Sequence, residues 1–81
     1  MLTELSTQCK VTGAKQVKRA LEAGRALRVF LAQDADPRIT ESIEALCGEK
    51  GVEMVRECSM EALGKACGIS VGAAVAALVR E

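Results

Sequence analysis

The residues of this chain best placed to do chemistry are Gly13-Ala14-Lys15-Gln16-Val17-Lys18-Arg19, a glycine leading into cationic and amide side chains at the mouth of a helix-compatible pattern. First-turn N–H groups of a helix lack internal partners, and the macrodipole places partial positive charge there. Such a mouth binds anions and polar base edges. Lys15, Lys18, Arg19 and Glu22 fall together on the face opposite Val17 and Leu21. An ordinary solvated face has the same pattern, because every amphipathic surface helix shows polar groups to water.

Few other chemistries are open to the sequence. It has no histidine, tyrosine or tryptophan, and its 81 residues carry zero formal net charge. Histidine catalysis and mixed Cys/His zinc sites are therefore excluded. Cys9, Cys47, Cys58 and Cys67 show no C-x-x-C spacing and lie in or beside apolar segments, which fits reduced, buried thiols. Cys67 has no neighbouring cation in the sequence to make it a nucleophile. Asp34 and Asp36 form a D-x-D string that could attract magnesium, but Asp36 stands where a helix cap before Pro37 is needed. No phosphate-loop or dinucleotide fingerprint is present. The expectation is a protein without enzymatic activity, cofactor or metal.

With 49% apolar and 27% charged residues the chain has the balance of a globular protein, and its length suits one domain over residues 1–81. The neutral total hides an asymmetry. Lys10, Lys15, Lys18, Arg19, Arg25, Arg28 and Arg38 face only Glu4, Glu22, Asp34 and Asp36 in the first forty residues, and no anion lies between Cys9 and Arg19. A focused contact with an anionic ligand is favoured over broad coating of nucleic acid. Phe30, the single aromatic residue, sits in a core-like run, so stacking of bases on exposed rings is excluded. Any RNA would be read by shape, base edges and backbone. No leader pattern or membrane-length apolar run appears, so a cytoplasmic location is expected.

Helical and extended signals alternate along the chain. Leu2 to Gln8 suits a short helix, and Cys9 to Thr12 a brief strand. Ala14, Val17, Ala20 and Leu21 repeat at helical spacing up to a stop at Gly24. Arg25 to Ala32, centred on Val29-Phe30-Leu31, suits a buried strand. Asp36 and Pro37 start a helix with Ile39, Ile43, Leu46 and Cys47 as its buried stripe, ending near Gly51. Val52 to Glu57 alternates as a strand if a slip falls between Met54 and Val55. Ser59 caps a short helix closed by Gly68. Ala73 to Val79 has helical composition, yet its place in the alternation and its small side chains predict a central strand. The outcome is an α/β sandwich of about four strands with helices on both faces.

Three strings in this order resemble one family: Gly13 to Ala20, Ala32-Gln33-Asp34-Ala35-Asp36-Pro37, and Leu63-Gly64-Lys65-Ala66-Cys67-Gly68-Ile69-Ser70-Val71-Gly72-Ala73-Ala74. The chain resembles the kink-turn-binding ribosomal proteins of the L7Ae type, in their small stand-alone bacterial branch, over nearly its whole length. The resemblance implies a three-layer α-β-α sandwich around a four-stranded mixed sheet. It also implies recognition of a kink-turn, an RNA helix bent at a bulge beside tandem sheared G·A pairs. The helix from Gly13 and Ala14 would enter the groove there, with Lys15 and Gln16 on guanine edges and Lys18 and Arg19 against bases or backbone. Ile69, Ser70, Val71 and Gly72 would form an apolar contact with the extruded nucleotide, and Asp36 would lie near its base.

Many relatives have Asn-Glu where this chain has Lys15-Gln16, and proline where it has Gly72. The sequence also ends after the last expected strand, without the terminal helix of longer members. The expected partner is structured RNA, rRNA or an mRNA leader, in a ribosomal or riboswitch-like setting, bound by a monomer without membrane attachment. The alternative is a protein-interaction adaptor of ribosome assembly that makes no RNA contact. A thinner one is a redox or metal protein using the cysteines.

Overall fold

In the computed structural model, which describes residues 10–68 and 72–80 (only the backbone of Glu57), seven elements follow one another. They are β1 (Lys10–Thr12), α1 (Ala14–Glu22), β2 (Ala26–Ala32), α2 (Pro37–Lys50), β3 (Glu53–Cys58), α3 (Met60–Ala66) and β4 (Val75–Val79). The expected helix over Leu2 to Gln8 lies outside the described residues.

Each helix begins and ends where its local chemistry requires. Asp36 accepts the Arg38 N–H at 2.9 Å and Pro37 fills the first helical position of α2, where a missing N–H costs nothing. Ser59 Oγ accepts the Ala62 N–H at 3.1 Å to start α3. At the end of α1, Gly24 takes φ +71° so that its own N–H reaches Leu21 O and the Arg25 N–H reaches Ala20 O, a reversal that a side chain would resist.

The strands form one sheet in the order β1-β4-β2-β3, with β4 antiparallel to both neighbours and β2 parallel to β3. Alternation along each strand feeds two cores. Val29, Leu31, Val75, Ala77 and Val79 pack with Val17, Leu21, Ile43 and Cys47 of α1 and α2. Phe30, Ala32, Ala76 and Leu78 pack with Leu63 and Cys67 on the α3 side. The architecture is thus the expected three-layer sandwich around a mixed sheet. Every residue of β4 is buried, and its alanines let the two helical layers close on it despite their helical propensity.

The slip in β3 lies elsewhere than the sequence suggests. Met54 packs toward α2 and Val55 toward α3, which is regular alternation. The extra residue comes later: Phe30 pairs with Val55, but Ala32 pairs with Cys58. This bulge brings Cys58 to the same face as Val55, three residues away, where strict alternation would have put it on the other.

Candidate functional site

The topology gathers the three helix starts at one end of the sheet. Backbone bonds tie them together there: Gly13 N–H to Val75 O at 3.0 Å, Ala32 N–H to Ala74 O at 2.9 Å, Gln33 N–H to Cys58 O at 2.8 Å and Ala73 N–H to Met60 O at 3.0 Å. Gly13, Ala14, Lys15, Gln16, Asp36 and Gly72 all lie at this end, with Lys18 and Arg19 one turn further along α1. Ile69, Ser70 and Val71 lie outside the described residues.

At the α1 mouth, Gly13 adopts φ 88°, ψ 147° and offers no side-chain cap. The first intrahelical bond is Val17 N–H to Gly13 O at 3.0 Å, so the N–H groups of Ala14, Lys15 and Gln16 have no acceptor among the described residues. Lys15, Gln16, Lys18 and Arg19 are exposed, while Val17, Ala20 and Leu21 anchor the opposite face in the core. Among the described residues Lys15, Lys18 and Arg19 form no ion pair. Three open donors and three unengaged cations therefore converge on one exposed, rigidly seated helix turn.

The other two mouths are closed. The Arg38 guanidinium reaches both carboxylate oxygens of Asp36, with Nη2 to Oδ2 at 2.9 Å, and together with the Arg38 N–H holds the Asp36 carboxyl below the usual carboxylate range. A role for sequence reasoning to find here was missed: Asp34 Oδ1 accepts the Met60 N–H at 2.8 Å, across 26 residues of chain. Both carboxylates of the D-x-D string thus serve helix starts, and the described residues hold no cluster of metal-ligating side chains. Gly72 is also more constrained than sequence shows. A Cβ there would stand 3.1 Å from Met60 Cβ.

The thiols are quiet. Cys47, Cys58 and Cys67 are buried and form no disulfide, and Cys9 lies outside the described residues. Burial, with the Glu44 charge behind it, pushes the Cys47 thiol up. The fold does bring a cation toward Cys67, contrary to the sequence reading, because Lys10 lies on the neighbouring strand β1. Burial still outweighs that charge, and the Cys67 thiol is raised. Neither is an activated nucleophile. No helix among the described residues is long and apolar enough to cross a membrane.

With this geometry in place, comparison with known proteins gives one family. Residues 4–81 match the profile described as the ribosomal protein L7Ae/L30e/S12e/Gadd45 family. The chain is 47% identical over 70 residues to RNA-binding protein YbxF of Geobacillus stearothermophilus, covering 86% of this chain and 85% of that one. It is 40% identical over 68 residues to large ribosomal subunit protein eL8 of Halobacterium salinarum, covering 83% of this chain and 57% of that one. Its fold superposes on the Giardia lamblia 15.5kD RNA binding protein with a TM-score of 0.87 at 35% identity, covering 99% of this chain and 69% of the other.

Proposed function

This chain belongs to the ribosomal protein L7Ae/L30e/S12e/Gadd45 family, and on that premise we propose that it is a non-catalytic RNA-binding protein that recognises kink-turns. The observation that carries this reading is the α1 mouth, where open Ala14, Lys15 and Gln16 amides are flanked by unengaged Lys15, Lys18 and Arg19. A ligand with polar base edges and phosphates supplies what those groups lack. Guanine presents O6 and N7 to the Lys15 ammonium, and the Gln16 amide both donates and accepts at the sheared G·A pairs. Lys18 and Arg19 neutralise backbone phosphates beside them. The segment 69–72 packs against the bulge and its extruded nucleotide, with Asp36 close to that base.

Because these contacts exist only on the bent helix, binding draws structured RNA toward its kinked form. The RNA is an rRNA or mRNA leader met in the cytoplasm, in a ribosomal or riboswitch-like setting. Fluorescence titration with a kink-turn duplex tests the reading. Affinity should fall by at least about a hundredfold when the G·A pairs become Watson–Crick pairs. Equal affinity for both duplexes would refute it.

A further inference from the structure

We propose that Asp34 is a positioning residue for RNA recognition, acting through Met60 on the segment that ends at Gly72; this rests on the reading that residues 69–72 contact the extruded nucleotide. Asp34 leaves β2 on the loop to α2, and its Oδ1 accepts the Met60 N–H at 2.8 Å. Met60 is the first residue of α3, and its carbonyl in turn accepts the Ala73 N–H at 3.0 Å. Gly72 sits directly on it, so close that a Cβ would lie 3.1 Å from Met60 Cβ and 3.4 Å from its backbone. One carboxylate, one residue and one glycine therefore form a joint between the loop carrying Asp36 and the approach to β4.

The joint has little slack. Ala32 N–H holds Ala74 O at 2.9 Å and Gly13 N–H holds Val75 O at 3.0 Å, so the chain after Gly72 is pinned to the α1 mouth. Ser59 caps α3 independently through Ala62. Loss of the Asp34 bond should therefore leave α3 formed and release chiefly its first residue, together with the Gly72–Ala73 height that this residue sets. The role is selective for the nucleotide side of the site, since Lys15 and Gln16 stand on α1 and do not touch the joint.

The test uses the whole protein and two kink-turn duplexes that share the G·A pairs, one of them abasic at the extruded nucleotide. Asp34→Ala should weaken binding of the intact duplex by roughly five- to tenfold and that of the abasic duplex by less than about twofold. Asp34→Asn keeps an acceptor oxygen and should restore both to within about twofold of the parent. Gly72→Ala presses on the same joint from the other side and should give the same selective loss. Combined with Asp34→Ala its effect should be less than the product of the two, as expected for residues sharing one contact.

Equal weakening on both duplexes, or full multiplicative effects, would show that Asp34 merely stabilises the fold and would overturn the proposal. If Asp34→Ala does not fold, the Gly72→Ala result on the two duplexes decides by itself. Failure of the parent protein to distinguish G·A from Watson–Crick pairs would instead bring down the RNA reading. A parent that distinguishes them while neither variant shows selective loss brings down the positioning role alone.

Discussion

At α2 and α3 the first-turn amides are taken up by the protein itself, Asp36 closing one mouth with Arg38 bound across it, Ser59 and Asp34 closing the other. At α1, Gly13 brings no side chain and the amides of Ala14, Lys15 and Gln16 stay open. The three mouths share one end of one sheet, so the difference is local chemistry and not position. A missing cap forgoes about 1 kcal/mol. In a chain of 81 residues such a deficit is noticeable, and it falls where an RNA ligand would make it good. Capped mouths hold the frame; the uncapped one is left for recognition.

The sharpest way to break this contrast is to strip α1 of its readers. Lys15→Ala combined with Gln16→Ala should weaken kink-turn binding by about 30- to 100-fold, measured by titration. Because both side chains are exposed and make no ion pair in the fold, stability should change by no more than about 0.5 kcal/mol. A partner-protein adaptor would instead keep whatever RNA affinity it has and lose a pull-down.

A smaller effect is expected at the backbone of the open mouth. Gly13 holds φ 88°, ψ 147°, which side-chain-bearing residues rarely adopt. Gly13→Ala should lower stability by about 1–3 kcal/mol in denaturant unfolding, although no neighbour lies within 4 Å of the added methyl.

Opening a closed mouth should produce the opposite profile. Asp36→Ala should lower Tm by roughly 5 °C while leaving discrimination of the G·A pairs intact. The same carboxylate gives a pH signature. Its folded pKa lies below the ordinary aspartate value of 3.8, so its contribution is fully present above that value and is lost as pH falls through the lower folded one. Thermal melts between about pH 5 and 2 should therefore show a steeper acid loss for the parent than for Asp36→Asn.

The least effect belongs to an ion pair far from this contrast. Lys65 and Glu61 meet at 3.3 Å with both side chains largely exposed, so Glu61→Gln should move unfolding free energy by less than about 0.5 kcal/mol.

Much of this frame was legible in the sequence because its signals are short-range. Asp36-Pro37, Ser59, Gly24 and Gly51 act within a few residues of where they stand, and the helices start and stop beside them. The alanine-rich strand β4 was legible only through the order of elements, since its composition alone argues for a helix. What escaped was long-range. Asp34 reaches Met60 across 26 residues, Lys10 approaches Cys67 only once the sheet is assembled, and the close seat of Gly72 on Met60 belongs to neither local pattern. The β3 irregularity was sensed in the wrong place because Met54 and Val55 are both apolar, and a strand buried on both faces gives no polar residue to mark its phase.

That irregularity has a bearing on life at high concentration. β3 pairs only with β2, which leaves its outer rim of amides and carbonyls facing outward. A straight rim of that kind is a template on which a second chain can lay itself down, and the ensuing stacking is the root of many aggregates. The extra residue between Val55 and Cys58 bends the template, and charged Glu53 and Arg56 break up its apolar face. A protein that must wait, dissolved, for a scarce RNA target is thereby given a rim on which its own copies find no straight purchase.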